Sequence, residues 1–220
     1  MNRIAKLLTA GSALLTLAAG PSFAEDSSEG ALIINGQVNL APVFSELNAV
    51  IETVEGDASA QASAAGNTVT IVANTDTTVY NNQYQGADVG AWMYTKVGGV
   101  GGDVSLTATA VCNAASVSTD PRLTKVDSSQ KCTADDPYAT AIADVNNVGG
   151  LVGINATAVG NQIEIDSDAA RFPVSNWQEN RSGTFATVNA RVNNVGGAGI
   201  SASAVGNTAQ ILHLGHHNDQ

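Results

Sequence analysis

Three histidines, His213, His216 and His217, are the only imidazoles in the 220-residue chain, and all fall in its last eight residues. Imidazole is the commonest transition-metal ligand, and His213 and His217 would share one face of a helix. Chain ends are rarely held in place, so a solvated tail is expected there and no metal is assigned. Serine-hydrolase chemistry would need a nucleophile elbow, and no Gly-x-Ser-x-Gly occurs. Carboxylates are plentiful. Asp57 and Asp103 each follow a glycine, and a glycosidase needs two carboxylates about 5–10 Å apart. Later copies of the same segment carry Leu151 and Ala198 at that place, so decoration of a repeat explains the two aspartates more simply. Gly98-Gly-Val-Gly-Gly-Asp103 resembles the start of a calcium nonapeptide, but Ser105 stands where a large apolar residue belongs and no tandem copies follow. Asp135-Asp136 and Asp166 to Asp168 are read as solvated charge clusters rather than calcium sites. The expectation is a protein that is not an enzyme and uses no cofactor.

Two other groups of residues could do something specific. Cys112 and Cys132 are the only cysteines, and in an exported chain a single pair is most simply a disulfide, since two thiolates leave a zinc site half built. Tyr80, Tyr84, Trp92 and Tyr94 lie close together beside Asn81, Asn82 and Gln83, with Trp177 further on. Ring faces supply contact area and amides orient hydroxyls, a pairing suited to carbohydrate or surface contact; Trp92 and Tyr94 would equally serve to plug the interior or cap an edge. These aromatics are expected in loops.

The elements that would position them follow from a repeat. A segment ending in Gly66-Asn67 returns ending at Cys112-Asn113, Gly160-Asn161 and Gly206-Asn207, and Val54, Val100, Val148 and Val195 keep the same beat. Self-similarity at about 20–50 residues signals stacked supersecondary units. Within a unit, Ala139, Ala141, Ala143 and Val145 alternate with other residues, as do Ala186, Val188, Ala190 and Val192, which is the period of a strand with one buried face. Asn146-Asn147-Val-Gly-Gly150 and Asn193-Asn194-Val-Gly-Gly197 then supply residues that tolerate positive φ, and so predict a turn. The predicted unit is strand, glycine turn, strand, Gly-Asn turn, strand and a variable loop. Pro42 to Ile51 also permits a short helix, although its alignment with the other units favours a strand.

Inward residues this small require sheets that lie close together, and equivalent asparagines stacked in register would form an amide ladder. An all-β solenoid or β-helix of four repeats of about 47 residues meets both demands. An antiparallel β-sandwich is the alternative. The expected units are approximately 41–88, 89–136, 137–183 and 184–220 of a β-repeat domain spanning 25–220. Residues 1–24 read as an export signal: Arg3 and Lys6, an apolar run from Leu7 to Ala19, then Pro21-Ser-Phe-Ala24 before the cut. Its removal leaves seven of nine cationic residues against twenty anionic ones, a net charge of −13 instead of −11. With no basic patch to displace counterions, nucleic acid is not expected as a partner.

The Ala-x-Ala-Val-Gly-Asn pattern followed by alternating Gln and Ile resembles the curlin-type repeats of bacterial functional amyloids and the curlin-like proteins that anchor adhesive holdfasts. The resemblance covers the four blocks, with Gly66, Asn67, Asn113, Gly160, Asn161, Gly206 and Asn207 at the arcs. It departs from the pattern where Cys112 replaces an arc glycine, and in Gln61, Gln162 and Gln210, which do not align across the units. It implies a secreted protein of the bacterial cell surface, associated with the outer membrane and its secretion and anchoring machinery. Its function there would be structural: self-association, or association with related fibre subunits, through strand addition to hold adhesive fibres. The alternative is a monomeric module that binds surface polysaccharide through the aromatics.

Overall fold

The computed structural model describes residues 30–120, 124–133 and 137–213. These residues are all β, with ten strands: β1 (Ala31–Asn39), β2 (Val43–Val54), β3 (Ala58–Ala73), β4 (Thr77–Gln85), β5 (Val89–Val100), β6 (Val104–Thr119), β7 (Thr124–Cys132), β8 (Tyr138–Ser167), β9 (Val174–Asn180) and β10 (Phe185–His213). Every pairing is parallel. That excludes the antiparallel sandwich for the described residues. The register joins residues one repeat apart, so that Asn67 lies beside Asn113, Asn113 beside Asn161 and Asn161 beside Asn207. Strand-to-strand steps of about 4.8 Å therefore carry each position of the repeat into a column of equivalent residues.

Three sets of columns result. The first stacks β2, β5 and the opening halves of β8 and β10; the second stacks β3, β6 and the closing halves of β8 and β10. The third is a separate sheet in the order β1-β4-β7-β9. The turn between the first two sets has one left-handed residue per rung: Thr53, Gly99, Asn147 and Asn194, with φ of 59°, 66°, 56° and 50°. Asparagine and glycine adopt that conformation at low cost, which is why the Asn-Asn-Val-Gly-Gly segments turn there.

The chain bends again at Asn67 and its equivalents, and the bend separates two cores. The larger core joins the first set to the first half of the second, with Ala62, Ala108 and Ala156 in one column, and Leu106 and Ile154 in another. The smaller contains Ile71, Val79, Val117, Val126, Ile163 and Ile165, and joins the third sheet to the stretches after the bend. Alanine columns let two sheets approach closely, and the few large residues fill the remaining width.

Two sequence expectations need correction, and an open choice is decided. The variable loops contain strands β4, β7 and β9, and the polar insert from Ser118 to Gln130 is largely strand. Their polar residues conceal an alternation in which Val79, Asn81, Gln83 and Gln85 are buried while Tyr80 and Tyr84 point outward. Residues 43–51 are strand, as the alignment favoured over the helix. Finally, β1 precedes the first expected unit and pairs with β4, which supplies a rung that the glycine pattern does not announce.

Candidate functional site

Two amide ladders run through the molecule. In the first, Asn67 donates from Nδ2 to Asn113 Oδ1 at 2.8 Å, Asn113 donates to Asn161 at 2.7 Å, and Asn161 donates to Asn207 at 2.7 Å. Each also donates to a backbone carbonyl of the third sheet: Asn67 to Tyr84, Asn113 to Lys131 and Asn161 to Glu179. A carbonyl accepts only from the nitrogen end of a carboxamide, so these bonds fix which way each amide points. Asn113 and Asn161 are fully buried. Two donated bonds and one accepted bond satisfy each where water cannot.

The second ladder was not visible in the aligned blocks. Gln83 donates to Gln37 at 2.8 Å, Gln130 to Gln83 at 2.8 Å and Gln178 to Gln130 at 2.7 Å. The second hydrogen of each goes to a carbonyl beyond the bend, at Thr68, Ala114, Gln162 and Thr208 in order. Donation runs toward the C-terminal rung in the asparagine ladder and toward the N-terminal rung in the glutamine ladder. Gln61, Gln162 and Gln210, the candidates read from the sequence, do not form this ladder; Gln162 enters only through its backbone carbonyl.

Cys112 and Cys132 are disulfide-bonded. Cys112 occupies the arc column of Gly66, Gly160 and Gly206, while Cys132 occupies the column of Gln85 and Asn180. A β-carbon at Gly66 would collide with the Gln85 side chain, and one at Gly160 with the Asn180 amide and the Gly206 carbonyl. At Gly66 and Gly160 the facing side chain is thus one of the groups that leave no room for a β-carbon, beside a carbonyl of the next rung. The second unit changes both the arc residue and the facing one, and the disulfide replaces the glycine–amide contact. Closing this loop, of sequence separation 20, is worth about 3 kcal/mol through loop-closure entropy.

The aromatics lie on strands, not loops. Trp92 sits 4.4 Å from Tyr138 and 5.3 Å from Phe44, ring centre to ring centre, on the outer face of β2, β5 and β8. Gly90 makes room, because a β-carbon there would strike the Tyr138 ring. Burial, and then the Asp88 carboxylate, raise the Tyr138 hydroxyl above its ordinary pKa. Beside this cluster is a groove of about 350 Å³ lined by Glu46, Asn48, Trp92, Tyr94, Thr140 and Ile142, among others. Tyr80 and Tyr84 belong to the other sheet, where Lys125 lies 5.4 Å from the Tyr80 ring and Thr133 bonds the Tyr84 hydroxyl. Trp177 is exposed on β9. The five sequence candidates thus do not converge on one site.

Asp57 and Asp103 serve the backbone. Asp57 Oδ1 accepts from the Asp103 N–H, and Asp103 Oδ1 from the Leu151 N–H, each at 2.8 Å. His213 contacts the Ala169 carbonyl and stacks near Phe172. His216, His217, Asp135 and Asp136 lie outside the described residues, as does the export signal. Among the described residues, no cluster of three metal-ligating side chains occurs.

The first and last rungs are open among the described residues. Ala202, Ala204 and Asn207 belong to inward columns but are exposed on β10, whereas their counterparts Ala156, Ala158 and Asn161 are buried. Only one flank of β10 is paired, and β2 and β3 likewise lack a neighbour on the N-terminal side.

The sequence pattern of holdfast attachment protein D matches residues 46–217. The chain belongs to the holdfast attachment protein D family. That membership supports a role in adhesion at the cell surface, with a structural rather than catalytic character, and association with other holdfast or anchor components. The match covers the bend, the asparagine ladder, the disulfide and three of the four ladder glutamines, and leaves out β1 with Gln37. No curated protein and no solved structure matches the chain.

Proposed function

We propose that this member of the holdfast attachment protein D family is an exported structural protein whose subunits join through their open ends. The fold is read as four coils of a β-solenoid, and growth as strand addition that continues both sheets across the junction. The observation that carries this reading is the pair of open end rungs. An unpaired parallel strand presents a row of backbone donors and acceptors, and that row templates another chain unless something covers it. Assembly in this way would hold adhesive material at the outer surface, in line with the curlin-like repeat. Purified residues 25–220 should form oligomers or filaments that grow with concentration, seen by light scattering and negative-stain microscopy. A sample that stays monomeric at every concentration, with its strand content intact, contradicts the reading.

The Trp92 groove favours a second reading, a carbohydrate-binding face. A ring flanked by Tyr94, Glu46 and Asn48 presents an apolar platform beside hydrogen-bonding groups, the usual makeup of a sugar subsite. Trp92→Ala separates the two: it should leave assembly unchanged and abolish retention on immobilised polysaccharide. Unaltered retention would remove this face from consideration.

A further inference from the structure

We infer that the partner of each open end is the opposite end of a second copy of this chain, stacked head to tail in continuous register. The inference rests on the reading that the ends associate, and adds polarity and occupant to it. Three observations point the same way. The described chain begins with a strand of the third sheet, β1, and ends in a stretch of the second set, β10, so each of the three sets holds four rungs. No rung is left over, and the next copy's β1, β2 and β3 would meet β9 and the two halves of β10.

The ladder ends are also complementary. Among the described residues, Asn67 Oδ1 at the first rung and Gln178 Oε1 at the last accept no hydrogen bond. Gln37 and Asn207 each retain one side-chain N–H beyond the bond made to a backbone carbonyl. Because the two ladders run in opposite directions, each end offers one acceptor and one donor. Head-to-tail stacking sets the Asn207 donor against Asn67 Oδ1 of the next copy, and that copy's Gln37 donor against Gln178 Oε1. Both ladders would then continue without a break.

The apolar columns match as well. Stacking in this register places Leu47 on Val188, Ile51 on Val192, Ala62 on Ala202, Ala64 on Ala204 and Ile71 on Ile211. In these five columns alanine meets alanine and branched residue meets branched residue, while Ala60 would meet Ile200. Head-to-head contact would instead set strands antiparallel where all internal pairings are parallel, and would misalign both ladders.

Two variants test polarity. Ala60→Lys places a charge on the N-terminal end and Ala202→Lys on the C-terminal end, each in an inward column at its end rung, with circular dichroism confirming the fold. Each alone should be monomeric, and an equimolar mixture should give a dimer through the two unblocked ends. A second measurement uses Ile34→Cys and Ser175→Cys, which share a column and would be one rung apart across the junction, where a step of about 4.8 Å is within disulfide reach. Oxidation should cross-link the mixture and neither variant alone. Dimers of a singly blocked variant, or a mixture that stays monomeric while wild type assembles, would overturn the polarity. A wild type that never leaves the monomer overturns end association itself, and the polarity with it.

Discussion

Asn113→Leu is expected to lower the unfolding free energy by ~3–9 kcal/mol, taking about 1–3 kcal/mol for each of the three buried polar groups left unpaired. Asn113 is 0% exposed, and its amide is the centre of the ladder. Leucine would strand the Lys131 carbonyl, Asn161 Oδ1 and one N–H of Asn67 at once. Asn113→Asp is more revealing. The carboxylate can still accept from Asn67, but it faces two oxygens to which asparagine donated. Burial and those oxygens would hold the aspartate pKa in the folded chain above its unfolded value of about 3.9. The charge-related part of the loss is therefore absent below pH about 3.9, and grows as pH rises from there toward the folded pKa. Denaturant titration of both variants between pH 3 and 7 checks this; an Asn113→Asp protein as stable as wild type at neutral pH would exclude the ladder.

The core should be intolerant in both directions within a single strand. Ile154 is fully buried between Leu106 and Ile200 in its column, so Ile154→Ala should cost about 2–5 kcal/mol, transfer and cavity terms together. Two residues on, Ala156 lies between Ala108 and Ala202, also fully buried. Ala156→Leu should cost about 1–3 kcal/mol because the added carbons would push apart sheets that the alanines allow to approach. Urea midpoints at constant slope measure both. A neutral Ala156→Leu would mean that the alanine columns do not set the spacing.

Much of this was legible in the residues because the columns repeat both type and neighbours. Ala-Val-Gly-Asn recurs intact enough to set the register, and Asn147 and Asn194 mark the turn by their conformational tolerance. The glutamine ladder was not legible. Gln37, Gln83, Gln130 and Gln178 sit in Asn-Gly-Gln-Val, Asn-Asn-Gln-Tyr, Ser-Ser-Gln-Lys and Asn-Trp-Gln-Glu, which share besides the glutamine only an asparagine two residues earlier in three of the four. Only their spacing of 46, 47 and 48 residues gives them away. The third sheet escaped for the same reason: its buried positions include amides and hydroxyls, so apolar alternation understates it. Cys112 looked like damage to an arc because its compensation, Cys132, lies across the unit.

The claim on which all else stands is that residues one repeat apart stack in parallel register. Gln61, Thr107, Asn155 and Ser201 form one outward column, so labels at Gln61 and Ser201 should be three steps apart. A dipolar distance measurement on spin-labelled Gln61→Cys/Ser201→Cys, diluted with unlabelled chain, should centre near 15 Å, from three steps of about 4.8 Å. A distribution centred beyond about twice that distance would break the register and contradict the account.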